Sequence, residues 1–295
     1  MKQNLQAVQL KDGSQPVLLA VLAHPDDETF GMGGTLALYA RRGVSVYLVC
    51  ATRGEVGQMD ATLMEGFDSV GSRREMELRC AAEKLGLAGV FFLGYRDSGM
   101  PGSPDNAHPD ALAAQPMEEV ARRVAGFVRK LRPQVLLTFD PIGGYRHPDH
   151  IAIQRATERA FALAAEPDFV DAESLPPFRA AKLYFHILPR GFLRLMVRVM
   201  PLLGRDPRRF GENRDIDLVS IAEVNFPTHA VVQYRAVMME RDEASACHVS
   251  QGGQRMSSGL LGRLRRWTGA TEQFMRAFPL PQMGEEREND LFAGL

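Results

Sequence analysis

Short apolar runs recur along the first half of the chain, each followed by a polar loop and then by residues at helical spacing. Val17–Ala23 predicts a first strand, and Gly31–Arg42 a helix whose start can pack closely through Gly31, Gly33 and Gly34, with Gly43 as its stop. Val44–Cys50 predicts a second strand, Ser69–Leu85 a helix closed by Gly86, and Val90–Leu93 a short buried strand. A Pro-, Gly- and Asp-rich stretch, Pro101–Pro116, predicts a surface loop. Then follow a helix over Met117–Leu131, a strand over Val135–Phe139, a helix over Pro148–Ala164 and a strand over Lys182–Ile187. Strict alternation of strand and helix predicts an α/β, Rossmann-like fold: a mostly parallel sheet with helices on both faces, plus a C-terminal lobe or lid.

Beyond residue 189 the pattern changes. Arg190–Phe210 mixes Phe192, Leu193, Leu195, Met196, Val197, Val199 and Met200 with several arginines, which fits a lid or subunit contact better than a helix on a membrane surface. Thr228–Cys247 predicts one helix capped by Thr228. Gly252–Leu295 predicts loops and short helices over the site. The expected organisation is a polar extension (1–15), a Rossmann-like catalytic core (16–189) and a C-terminal lobe completing and covering the site (190–295).

Charge and cysteine content narrow the function. With 35 Lys and Arg against 36 Asp and Glu in 295 residues, no global field favours nucleic acid. Cys50, Cys80 and Cys247 show no CxxC spacing; reduced thiols and a cytoplasmic location are expected. The polar start lacks a signal core, and no apolar run reaches the ~20 residues that span a bilayer.

The chemistry lies directly after strands, where open α/β sheets gather their ligands. Ala23-His24-Pro25-Asp26-Asp27-Glu28 follows the first strand, and Gly143-Gly144-Tyr145-Arg146-His147-Pro148-Asp149-His150 follows the strand over 135–139. His24, Asp27 and His150 offer the N, O and N ligands of a catalytic zinc, with one position left for water. Asp26 is the candidate general base. His147, three residues before His150, could steady an oxyanion or pass a proton to a leaving amine when protonated, and Asp149 could hold its tautomer. Arg53 and Glu55 either bind substrate or form an ion pair. Arg96 and Asp97 stand on the loop after the third strand and are candidate substrate contacts, with a turn stabilised by Asp97 as the alternative. His186 and His229 are expected to be structural; His248 is either a helix-end dipole partner or a group closing the site. A non-catalytic nucleotide- or sugar-binding module is disfavoured, because the first turn lacks GxGxxG.

AHPDDE at 23–28 and GGYRHPDH at 143–150 resemble the PIG-L/LmbE-like family of zinc-dependent N-deacetylases, and TRGE (52–55) and YRDSGM (95–100) resemble loops of its mycothiol- and bacillithiol-pathway members. The resemblance covers about residues 16–165 and extends weakly through 244–251. It implies a Rossmann-like sheet, hydrolysis of a linear amide C–N bond and removal of acetyl from an N-acetylglucosamine (GlcNAc) moiety. It also implies metal ligation by His24, Asp27 and His150, with zinc as the cofactor or iron(II) or another divalent ion in its place. Asp26 matches the family's base, His147 its acid or oxyanion-stabilising histidine, Tyr145 a mobile tyrosine, and Arg53 and Asp97 sugar or aglycone contacts. The expected partner is a small amino-sugar substrate and the expected assembly a homo-oligomer. An amidase acting on a larger thiol-conjugate amide and a GlcNAc-lipid deacetylase are the alternatives.

Overall fold

The structure, a computed structural model, describes residues 5–188, 190–210, 216–254 and 270–295. One seven-stranded sheet runs through it in the order β3-β2-β1-β4-β5-β7-β6. Strands β1 (Val17–Leu22), β2 (Ser45–Cys50), β3 (Gly89–Phe92), β4 (Val135–Phe139) and β5 (Lys182–Ile187) are parallel. β1 and β4 are apolar and buried almost throughout, as central parallel strands covered on both faces must be. Helices α1 (Asp27–Arg41), α2 (Val70–Leu85), α3 (Met117–Leu131) and α5 (Pro148–Leu163) make the crossovers, with a kinked turn, α4 (Gly143–Arg146), before α5. Ser69 caps α2 through a reciprocal capping box with Ser72, and Gly86 ends it in the left-handed conformation.

Chain order reverses between β1 and β4, which pair side by side. Their carboxyl ends form the crevice where doubly wound sheets bind ligands. Both sequence clusters leave the sheet there.

Three expectations need correction. The first helix starts at Asp27, not Gly31; it is broken at Met32 (φ −134°, ψ 20°), and the N–H groups of Gly34 and Thr35 donate to Glu272 instead (3.0 and 2.7 Å). The Gly31–Gly34 stretch therefore marks a kink inside the helix and not its start. Thr228–Cys247 is not one helix: Ala230–Gln233 forms β6, and α8 spans only Met238–Cys247. Thr228 caps nothing; its hydroxyl meets Gln273 Oε1 at 3.3 Å. The tail holds a full strand, β7 (Thr271–Phe278), antiparallel to both β5 and β6. Residues 255–269 of that tail lie outside the described residues. The core-facing side of β7 carries Glu272, Phe274 and Arg276, so two of its three inward residues are charged and no apolar alternation marks it.

The thiol expectation is also overturned: Cys80 on α2 and Cys247 at the end of α8 form a disulfide across 167 residues, leaving Cys50 free and buried. Residues 190–210 form α6 (Arg190–Val199) and a 3-10 turn (Met200–Leu203), packed on α7 (Leu218–Glu223). Among the described residues, no helix is long and apolar enough to cross a membrane.

Candidate active site

After β1 the chain turns sharply at Asp26, whose φ of 119° lies where residues with a Cβ are rarely found. The turn is held from both sides. Asp26 N–H donates to Glu28 Oε2 (2.9 Å), and its carbonyl accepts from the N–H of Thr29 and of Phe30 (3.0 and 2.9 Å). Strain confined to one residue and fixed by its neighbours is a feature of functional sites. It sets the carboxylates of Asp26 and Asp27 apart in role. Asp27 is buried and Asp26 half-buried, with Oδ2 3.2 Å from Arg74 Nη2.

His24 Nδ1, His150 Nε2 and the Asp27 carboxylate converge. The two ring nitrogens lie 3.2 Å apart; Asp27 Oδ2 is 3.5 Å from His24 and Oδ1 3.2 Å from His150. The other face of His24 is fixed: Nε2 lies 3.1 Å from Asp149 Oδ2 and 3.5 Å from Asp97 Oδ1. A proton on Nε2 satisfies those carboxylates and leaves the Nδ1 lone pair directed at Asp27 and His150, the carboxylate–histidine arrangement of metal sites. Two imidazole nitrogens and one carboxylate oxygen are a donor set suited to a divalent cation, and the residues fit one. His147 also has a ring nitrogen in a group with those of His24 and His150, all within 4.8 Å of one another.

The electrostatics follow from burial and these pairings. Burial works against charge on His24, but Asp97, Asp149 and Asp27 raise its pKa well above the ordinary value. Burial likewise opposes ionisation of Asp27, yet His150 and His24 hold it well below the usual carboxylate range. Burial pushes Asp26 up to about 6, against the pull of Arg74 and with the help of Asp27. Burial, with His24 and His150, drives His147 well below its usual value. His147 Nδ1 accepts the Asp149 N–H (3.2 Å), so the neutral ring carries its proton at Nε2. The Asp149 carboxylate lies against His24 and receives the N–H (2.9 Å) and hydroxyl of Ser98, while its backbone N–H is the group bonded to His147. Tyr145 stands edge-on to both His147 and His150, its hydroxyl made less acidic by burial.

The substrate-loop candidates divide. Asp97 is buried beside His24 and accepts from the N–H of Gly99 and Val56 (2.8 and 3.3 Å). Glu55 accepts the Asp97 N–H (3.1 Å). Arg53 pairs with Glu75 (2.6 Å) and lies over the Phe92 ring, and Arg96 pairs with Asp105 (2.7 Å). An open cavity of about 400 Å³ includes Glu55, Tyr95, Arg96 and Arg123 in its walls; another, about 460 Å³, borders Asp140, Ile142, Gly144, Leu193 and Ile221.

Three features were missed: Arg74 lies outside every motif, while Ser98, Glu28 and His248 lie inside motif stretches but were given no partner there. Arg74, buried on α2, donates to the Pro25 and Gly54 carbonyls (2.7 and 3.0 Å) as well as to Asp26. Ser98 fixes Asp149. Glu28 and His248, both fully buried, pair at 2.6 Å; the sequence allowed His248 as a closing group but gave it no partner. His186 sits under Gly31 and against Phe274, and His229 Nδ1 accepts the Arg276 N–H (3.0 Å).

Fold and site together describe a Rossmann-like sheet whose switch point gathers His24, Asp26, Asp27, His147 and His150, a donor set that could hold a cation. The chain belongs to the PIG-L family: residues 19–161 match that family, described as GlcNAc-PI de-N-acetylase, and full-length relatives agree. A 1D-myo-inositol 2-acetamido-2-deoxy-alpha-D-glucopyranoside deacetylase from Geodermatophilus obscurus is 36% identical over 290 residues, covering 94% of this chain and 97% of that protein. The enzyme of that name from Thermobifida fusca is 36% identical over 294 residues, covering 94% and 98%. In fold, the chain is similar to the N,N'-diacetylchitobiose deacetylase of Pyrococcus horikoshii, with TM-score 0.60 and 22% identity over 94% of this chain and 86% of that one. The chain is therefore a hydrolase of the deacetylase class.

Proposed function

We propose that this chain is a metal-dependent N-deacetylase, with zinc as its ion, that removes the acetyl group from a GlcNAc–inositol conjugate of the kind its relatives are named for. The observation that carries the chemistry is the convergence of His24 Nδ1, His150 Nε2 and Asp27 next to Asp26. These three residues would hold the ion, which polarises an amide carbonyl and makes water more acidic when bound.

The remaining steps belong to the side chains. Asp26 takes the proton of the attacking water; a carboxylate with a pKa raised to about 6 is ionised at neutral pH yet basic enough to accept it. Arg74 keeps that carboxylate oriented. His147 presents Nε2–H to the developing oxyanion, and Tyr145 stands close enough to join it. Proton return to the leaving amine falls to Asp26, which holds that proton after the attack. Asp97, fixed by backbone N–H groups, anchors His24 and is the loop carboxylate best placed to meet a sugar hydroxyl.

The test is an assay for primary amine and acetate with zinc-loaded protein on GlcNAc–inositol, free GlcNAc and diacetylchitobiose. Preference for the inositol conjugate is expected. Equal rates on all three would remove the inositol part from the proposal, and no acetate release from any would overturn it.

A further inference from the structure

The solvent side of residues 190–210 is apolar where it should be polar. Leu193, Met200, Leu218 and Ile221 form the inner packing of α6 and α7, joined by Ile142 and Tyr145 from the site. On the opposite side Leu195 is 57% exposed, Leu202 82% and Leu203 70%, with Val199 between them. Positions 195, 199 and 202 follow helical spacing, so they form one ridge and not scattered exposures. Contiguous exposed apolar residues mark an interaction surface.

The charge around the ridge narrows the partner. Residues 190–210 contain six arginines (190, 194, 198, 205, 208 and 209) and one acid, Asp206, in a chain whose overall net charge is −1. Arg194, Arg198, Arg205, Arg208 and Arg209 are exposed. A two-fold contact between copies would set these arginines against each other, which like-charge repulsion disfavours. An anionic lipid surface satisfies both features at once: leucines enter the headgroup boundary while arginines meet phosphates.

We propose that the ridge formed by Leu195, Val199, Leu202 and Leu203, with its flanking arginines, docks the protein reversibly on anionic membrane surfaces. Helix α6 is then shared by two surfaces, its inner face packing beside Tyr145 and its outer face meeting lipid. This binding does not depend on which acetamido sugar the site accepts, so it is tested without turnover.

The experiment is vesicle flotation of the full chain at low and high salt, using phosphatidylcholine alone and phosphatidylcholine with phosphatidylglycerol. Binding to the anionic vesicles alone is expected, weakening as salt screens the arginines. Leu202→Glu/Leu203→Glu and Arg194→Glu/Arg198→Glu should each lower bound protein at least ~10-fold, with unchanged circular dichroism and unchanged activity on soluble substrate. No flotation with anionic vesicles, or flotation unaffected by both variants, overturns the proposal. Light scattering that shows a dimer broken by Leu202→Glu, without vesicle binding, assigns the ridge to self-association and also overturns it.

Discussion

At the scale of single residues, the proposed chemistry rests on a few side chains, each with its own neighbours and its own proposed role. Asp26→Asn keeps shape but cannot take a proton, so turnover should fall ~10²–10⁴-fold with metal content unchanged. Stopped assays beside metal analysis check this, and near-normal turnover with the ion bound would remove Asp26 as base. His248 acts further back: it neutralises Glu28, which holds the Asp26 N–H and so the strained turn. His248→Ala leaves Glu28 buried without its cation, a loss of about 3–5 kcal/mol of stability for a broken buried pair. Its kinetic mark should be a kcat lowered ~10-fold at nearly constant KM, since the substrate's own contacts remain. A KM change with kcat intact would place His248 at the substrate and not behind the base. His24, Asp26, Asp27, His147 and His150 were legible in the sequence because each follows a strand in a dense polar cluster. Arg74 was not, because a lone arginine on an amphipathic helix looks like any solvated one until the fold buries it.

At the scale of elements, what could be read depended on whether burial coincided with apolarity. β1, β2, β4 and β5 are apolar runs and were plain. β7 hides because Glu272 and Arg276 face inward: Glu272 caps the N–H groups freed at the α1 kink, and Arg276 pairs with Glu285 and Glu288. A charge that completes a backbone is invisible to periodicity. The Cys80–Cys247 bond was unreadable for a different reason, since only the packing of α2 on α8 brings residues 167 apart together. The kink has its own requirement at Gly34: a Cβ there would lie 2.1 Å from Tyr234 Cγ, inside the ring of a buried side chain. Gly34→Ala must therefore push α1 away from Tyr234 and is expected to cost at least ~1–3 kcal/mol, the usual range for overpacking. Chemical denaturation measures it; a midpoint equal to that of the native protein would show that α1 yields freely there.

At the scale of the whole molecule, the sheet that joins the two motif clusters also bears on how stability responds to acid. His186, on β5, is half-buried beneath Gly31 and against Phe274, and loss of water around the ring drives its pKa down to about 4. In the unfolded chain the same ring titrates near 6.5. The depressed folded value means that the folded state prefers the neutral ring. Its contribution is therefore fully present above about pH 6.5 and is lost as pH falls toward 4, where the folded protein at last takes the proton too. At pH 5 the unfolded chain holds that proton and the folded chain does not, which from the two pKa values costs about 2 kcal/mol relative to pH 7.5. His186→Leu removes the titrating ring at similar volume while leaving every carboxylate and histidine of the active site in place. The difference in unfolding free energy between pH 7.5 and pH 5 should therefore be smaller in the variant by about 2 kcal/mol. Urea denaturation of both proteins at the two pH values decides it. An equal pH response in the two would mean that His186 titrates in the folded protein as it does in the unfolded chain, and would remove it as a source of acid sensitivity.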